Sequence, residues 1–253
     1  MTLTVATWNV NGIRAREEQF LDWLERDRPD VVCLQEIKAA PEKLSERLCE
    51  LAGYRCYWHG AGGYSGVGLH VRADRGGEPA AAPQYAHPGF DLENRIVTAD
   101  LGDVLVASVY VPNGGKDYQT KLDFLTALGV WAGEVRRAGR RLLVCGDLNV
   151  ARTDQDIHPK ERKPHIIGTR PDERALLDTL IGQGLVDVGR ALDPDNDALF
   201  TWWAPWRNMR QRNIGWRIDY VLASEELART ATDSRVLAEV GTSDHAPVIA
   251  RFG

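Results

Sequence analysis

The chain lacks an excess of positive charge. Its 253 residues carry 31 Lys and Arg against 36 Asp and Glu, a net charge of −5. That balance excludes the holding of a polyanion by bulk charge. A local basic face remains compatible with it, because screening in physiological salt confines attraction to about 10 Å or less. Cysteine is scarce: Cys33, Cys49, Cys56 and Cys145, with no CxxC pair. This argues against a zinc site, and a disulfide framework is not expected. Cys33 and Cys145 lie inside apolar runs and read as buried thiols. No apolar stretch is long enough to cross a bilayer. The start, Met1 to Ala6, has neither a basic n-region nor a long apolar h-region. It reads as a first strand, and the expected location is cytoplasmic with no membrane partner. There is no low-complexity tract and no short repeat. An apolar content of 43% with 26% charged residues fits a chain that buries a sizeable core. One domain spanning residues 1–253 is expected.

Strand-like and helix-like segments alternate. Leu3 to Asn9, Val31 to Gln35, Tyr54 to His59, Val67 to Val71, Arg95 to Leu101, Val104 to Tyr110, Arg141 to Asp147, Trp216 to Ala223 and Pro247 to Phe252 read as strands. Glu17 to Arg28, Pro41 to Leu51, Tyr118 to Arg137 and Pro171 to Gln183 read as helices. Residues 74–90, with Gly76, Gly77, Pro79, Pro83 and Pro88, read as a loop. Asn9-Val10-Asn11 and Asp147-Leu148-Asn149 are polar-apolar-polar triplets after apolar strands, a weak internal echo. Period 2 would put both polar side chains of each triplet on one face. Two facing halves would then bring the triplets together, as in an α/β four-layer αββα sandwich: two packed mixed sheets flanked by helices.

Most of the candidate chemistry sits where apolar runs end. Glu36 follows Val31 to Gln35, and Asp244 precedes the last strand. Mg²⁺ takes oxygen ligands, usually one or two carboxylates plus water and phosphate. Asp147 would polarise a water that Asn149 orients. His245 would donate to a phosphoryl oxygen, with Asp219 orienting it. Tyr110 and, in the loop after it, Asn113 and Lys116 would grip a phosphate. Each feature taken alone has a blander reading: solvated acids, a Gly-Asp turn, an interface tyrosine. Residues 200–217 hold Trp202, Trp203, Trp206 and Trp216 and Arg207, Arg210, Arg212 and Arg217, with no acid among them. Arginine seeks phosphate and indole stacks on bases, so this stretch reads as a nucleic-acid surface. A core plug of tryptophans is the alternative, mainly for Trp202, Trp203 and Trp216. Lys160, Arg162, Lys163, Arg170 and Arg174 make a second basic loop.

The ordered set of segments resembles the exonuclease III family of abasic-site endonucleases, within the endonuclease/exonuclease/phosphatase superfamily. The segments are Thr7 to Ala15, Leu34 to Lys38, Gly62 to Val67, Tyr110 to Gly114, Gly146 to Ala151, Gly215 to Tyr220 and Ser243 to Pro247. The resemblance implies a deoxyribonuclease I-like sandwich. It also implies a metal-dependent DNA-repair nuclease that cuts 5′ to abasic sites, leaves a 3′-hydroxyl and trims 3′ ends. It would hold Mg²⁺, or Mn²⁺, through Glu36 with Asn9 and Asp244. Asp147, Asn149 and His245 would border a second metal in some schemes. Tyr110, Asp147, Asn149, Asp219 and His245 would be catalytic. Arg14, Asn113, Lys116, Trp202, Trp206, Arg207, Arg210, Arg212, Trp216 and Ile218 would meet DNA, with Trp202, Trp216 and Ile218 receiving a base-less sugar. The expected partner is duplex DNA with abasic sites or 3′ ends, bound by a monomer. Asn11 stands where some relatives carry Asp, and His165 and Ile166 depart from the family pattern. A phosphatase of small phosphorylated substrates and a catalytically dead damage sensor are the rival readings.

Overall fold

Alternation in the first run separates Val5 from Ala6 and Trp8, one to each face of a strand, and both faces are buried. The computed structural model describes residues 2–74 and 81–253. In it β1 (Leu3–Asn9) runs parallel to β2 (Val31–Gln35). It also runs antiparallel to β12 (Val248–Phe252), the last strand of the chain. With β3 (Tyr54–His59), β4 (Val67–Arg72) and β11 (Ala231–Val236) these form a six-stranded mixed sheet, order β11-β12-β1-β2-β4-β3. The second mixed sheet has the order β5-β6-β7-β8-β10-β9. Its strands are β5 (Gln84–Ala86), β6 (Ile96–Asp100), β7 (Val104–Tyr110), β8 (Arg141–Asp147), β9 (Leu185–Asp187) and β10 (Asp219–Ser224).

The sheets face each other across a core in which Val5, Val31, Cys33 and Leu69 of the first meet Val97, Val106, Leu143, Cys145 and Val221 of the second. Helices α1 (Glu17–Asp27) and α2 (Glu46–Cys49) cover the outer face of the first sheet through Phe20, Trp23, Leu24 and Leu48. Helices α3 (Tyr118–Arg137) and α4 (Pro171–Ile181) cover the second through Phe124, Leu125, Leu128, Leu177 and Leu180. This is the expected αββα sandwich. Cys33 and Cys145 are buried thiols, as read. Among the described residues no helix is long and apolar enough to cross a membrane.

Several boundaries move. The helix expected over Pro41 to Leu51 is a 3₁₀ turn, Pro41–Lys43, followed by the four-residue α2. Ser45 adopts an extended conformation, and its hydroxyl accepts the N–H of Leu48 at 3.3 Å, so a second start signal splits the segment. The strand expected from Trp216 begins at Asp219, and Trp216 instead forms isolated bridges to Ile157 and Trp202. Three strands went unread. β5 lies within the stretch read as a loop, β9 has three residues, and β11 carries the polar run Thr232 to Arg235, which hides a period-2 signal. Of the expected loop, residues 75–80 lie outside the described residues.

A close approach of strands determines how the C-terminal end of β8 is built. Gly146 pairs with Val109 of β7. A Cβ at Gly146 would lie 1.8 Å from the Val109 carbonyl oxygen. Gly146→Ala is therefore expected to lower the unfolding free energy by about 3 kcal/mol or more, at or above the upper end of the usual cost of overpacking a core site. Urea unfolding followed by circular dichroism checks this.

Candidate active site

Strand register does the first part of the assembly. Asp147 ends β8 and stands opposite Tyr110 of β7 on one side and Asp219 of β10 on the other. In the first sheet Asn9 stands opposite Gln35, so Glu36 emerges beside it. The facing of the sheets then joins the two rims. Asn9 Nδ2 donates to Glu36 Oε1 at 3.0 Å and to Asp147 Oδ2 at 2.9 Å. His245 enters from the segment before β12. Its Nδ1 lies 2.9 Å from Asp219 Oδ2, and its Nε2 lies 3.8 Å from Asp147 Oδ2. Candidate ligand atoms of Glu36, Asp147 and His245 all lie within 4.8 Å of one another.

The echoed triplets build the same turn in both sheets. Asn11 N–H donates to Asn9 Oδ1 at 3.0 Å, and Asn149 N–H donates to Asp147 Oδ1 at 2.9 Å. Both asparagines take a left-handed φ, 45° and 53°, which Asn tolerates better than most residues. The triplets are thus Asx turns that stop the strands, and not strand continuations with both polar groups on one face. Glu36 also has a left-handed φ, 49°. Strain of that kind persists where the surroundings fix it. Here Gly12 N–H donates to the Glu36 carbonyl at 2.7 Å, and Lys38 Nζ sits 2.7 Å from its carboxylate.

Electrostatics follow from this crowding. Burial raises the Asp147 carboxyl, and the charges of Asp219 and Glu36 raise it further against the opposing His245, to about 7. Burial alone would lower His245. The facing carboxylates of Asp219 and Asp147 outweigh it and bring the imidazole up to about 10, so at neutral pH it is an imidazolium. Glu36 is held below the usual carboxylate range: burial opposes this, but hydrogen bonds from Asn9 and Lys38 prevail. Burial, and then the charges of Glu36 and Asp147, push the Tyr110 phenol up, so its proton stays on.

A cavity of about 390 Å³ opens onto this cluster. Glu36, Tyr110, Asn113, Asp147, Asn149, Trp202, Trp216, Ile218, Asp244 and His245 line it, joined by Gly115, Ile166, Ile167 and Gly168. All the expected catalytic residues except Asp219 line the cavity, and Asp219 stands directly behind His245. Trp216, Ile218 and Trp202 form its apolar wall, with Ile166 packed against them. Asn9 belongs to the cluster but presents nitrogen to the carboxylates, its oxygen being taken by Asn11. Asp244 lines the cavity yet lies apart from the tight group. Its Oδ1 accepts from Asn11 Nδ2 at 2.8 Å and its Oδ2 from Trp202 Nε1 at 3.0 Å.

The basic segment divides. Trp206 is 59% exposed, and Arg207, Arg212, Arg14, Asn113 and Lys116 are exposed as well. Arg210 is different: its guanidinium donates to the carbonyls of Ala238, Val240 and Ser243 at 2.9, 2.9 and 2.6 Å and lies over the Trp203 ring. It is half-buried and tied into the fold. Arg217 is buried between Asp156 and Asp187. Trp203 packs with Phe200, Met209 and Ile214, so the core-plug alternative holds for that tryptophan.

Supporting residues were missed. Lys38 bridges Glu36 and Asn11, and Thr201 Oγ1 donates to Asp219 Oδ2 at 2.6 Å. Ser243 Oγ donates to the Asn9 carbonyl at 2.7 Å. Buried Lys121 pairs with Glu173 and holds the Asn149 carbonyl at 2.7 Å. A lysine in the first turn of a long helix gives no sequence sign of this role.

Two facing sheets whose strand ends gather acids, an amide and an acid-held imidazole around one cavity define a phosphoester-hydrolase layout. The chain belongs to the endonuclease/exonuclease/phosphatase family, whose model matches residues 6–245. It is 32% identical over 97% of its length to the zebrafish (Danio rerio) DNA repair nuclease APEX1, covering 81% of that protein. It is 31% identical to the exodeoxyribonuclease of Bacillus subtilis, covering 97% of this chain and 98% of the relative. It spans 37% of the length of Recombination repair protein 1 of Drosophila melanogaster, at 31% identity. Among solved structures, the Neisseria 3′ phosphatase NExo bound to a product DNA hairpin superposes with a TM-score of 0.90 at 30% identity, covering 99% of both chains.

The oxygen-rich donor set fits a hard divalent cation. The Glu36 and Asp147 carboxylates converge with only an amide NH₂ between them, so a cation would relieve their repulsion. Asp147 is protonated below about pH 7 and must release that proton before its charge can attract a cation held by Glu36. Divalent-metal affinity is therefore expected to rise about tenfold from pH 6 to pH 8, with proton release. Calorimetric titration at both pH values, in buffers of different ionisation enthalpy, measures both quantities.

Proposed function

We propose that the protein is a DNA-repair nuclease. It hydrolyses the phosphodiester 5′ to an abasic site in duplex DNA, leaves a 3′-hydroxyl and trims 3′ ends, with Mg²⁺ as cofactor and Mn²⁺ as a substitute. It acts as a monomer. The observation that carries this reading is the central position of Asp147, bound by Asn9 and Asn149 and faced by an Asp219-held imidazolium in one cavity. Similarity to DNA repair nucleases and to a 3′ phosphatase solved with DNA supports the substrate class.

Glu36, beside the Asp147 carboxylate, would hold the metal, which when bound would supply positive charge to the phosphoryl group. Asp147, with its pKa near neutrality, takes a proton from the attacking water. Asn149 Nδ2 donates to Asp147 Oδ2 at 3.2 Å and to the Val111 carbonyl at 2.9 Å, which fixes the base in place. His245 keeps Nδ1–H on Asp219 and aims Nε2–H at the phosphoryl oxygen, where negative charge builds. The Tyr110 hydroxyl, protonated throughout, contacts the same phosphate. Trp202, Trp216 and Ile218 exclude water around a base-less sugar. Losing the base removes the stacking and pairing that oppose extrusion, a few kcal/mol, so a damaged nucleotide enters at lower cost. Trp206, Arg207, Arg212, Arg14, Asn113 and Lys116 contact the duplex.

Asp147→Ala and His245→Ala are each expected to cut cleavage of a defined abasic duplex by about 10²–10⁴-fold while the circular dichroism spectrum stays native. Retained activity in either purified variant overturns the reading. The same assay with metal chelated, and with plain duplex and inositol phosphates, separates it from a small-substrate phosphatase and from an inactive damage sensor.

The divided arginines make a separate prediction. Arg207→Ala and Arg212→Ala should each weaken duplex binding and reduce the log–log salt slope by about one. Arg210→Ala should instead lower the unfolding free energy by about 2–4 kcal/mol, through three lost charge-assisted bonds. Fluorescence anisotropy across a salt series and urea unfolding give the two readouts.

A further inference from the structure

We propose that His59, His87 and Asp91 form a transition-metal site, of the Zn²⁺ type, that clasps the open edges of the two sheets. The site is separate from the hydrolytic cluster, and the proposal does not depend on the nuclease reading. His59 is the last residue of β3, the edge strand of the first sheet. His87 directly follows β5, the edge strand of the second sheet, and Asp91 lies four residues on. One candidate ligand atom from each residue lies within 4.8 Å of the others. The two imidazole rings are 3.9 Å apart between centroids.

The surroundings orient these groups as outer-shell partners do in metal sites. Asp91 Oδ1 accepts the backbone N–H groups of Arg95 and Ile96 at 2.8 and 3.1 Å, while Oδ2 faces His59 Nε2 at 2.6 Å. His87 Nδ1 lies 3.4 Å from the Ile96 carbonyl, the outer partner that leaves Nε2, 2.8 Å from Tyr57 Oη, as the ligand atom. His87 is exposed, which gives an entry path. Two imidazoles and one carboxylate suit a borderline cation such as Zn²⁺, which takes nitrogen and oxygen in tetrahedral sets. They do not suit Mg²⁺, which demands octahedral oxygen and keeps its waters.

The consequence lies in what the clasp holds. Asp91 anchors the turn that delivers Arg95, whose guanidinium lies 4.7 Å from the Tyr110 ring centroid and 5.3 Å from that of Tyr64. The strand carrying His59 leads into the loop whose Ser65 and Gly66 carbonyls accept the N–H groups of Lys38 and Ile37 beside Glu36. An ion at this edge stiffens the flank of the cavity without touching substrate.

The test uses the full chain carrying Glu36→Gln and Asp147→Asn, so that the hydrolytic cluster contributes no binding. Co²⁺ is the probe, followed by its visible absorption and by equilibrium dialysis. The expected result is one bound equivalent, displaced by Zn²⁺ and not by a large excess of Mg²⁺. Adding His59→Ala or His87→Ala should bring the stoichiometry to zero. Zn²⁺ should raise the melting temperature of the parent and leave the His87→Ala form unmoved, with the two melting alike in chelator. If His59→Ala fails to fold, the exposed His87 position decides. No bound equivalent in the parent, or one retained after His87→Ala, overturns the proposal.

Discussion

One amide group joins the two halves of the molecule where its chemistry lies. Nδ2 of Asn9, at the rim of the first sheet, donates to Glu36 in its own sheet and to Asp147 in the other. A buried and a half-buried carboxylate brought this close repel each other, and each is costly unless hydrogen-bonded or paired. The amide, the Lys38 ammonium and the His245 imidazolium together make the arrangement tenable. Burial and register set everything else at the site. Tyr110, Asp147 and Asp219 share one line across β7, β8 and β10, so shifting any of these strands by one residue would scatter them.

The fold was legible in the sequence wherever one period ran unbroken. Tyr118–Arg137 was readable to both ends because apolar residues recur along one face for 20 residues. The central strands were readable because both of their faces are buried and their runs are continuously apolar. Of the four edge strands only β3, Tyr54–His59, was readable: β5 and β9 are three residues long, and β11 is half-solvated and polar. Ser45 shows the same limit at the level of one residue, since a start signal inside a helical pattern splits the helix.

For the site, the residues at strand ends could be found from sequence because a polar group directly after an apolar run must emerge at a rim. Their supports could not. Thr201 behind Asp219, Ser243 on the Asn9 carbonyl and Lys121 beneath Asn149 act across long separations in the chain. The anchoring of Arg210 could not be read for the same reason: the carbonyls that take up its donors come from residues 238–243, about thirty positions away. A composition of tryptophan and arginine indicates a surface, but which arginines remain free is a tertiary fact.

Gly168 lies directly on the indole of Trp216; a Cβ there would come within 2.9 Å of Cζ3. Trp202 meets the same indole edge-on at 6.0 Å and 87°. The ring is therefore held between main chain and a second ring. A chamber with an unyielding side sorts its guests by bulk before any contact is scored, turning away what is too large instead of reshaping to admit it. Discrimination of this kind survives changes in the electrostatics of the rim, because it resides in the hardness of a wall.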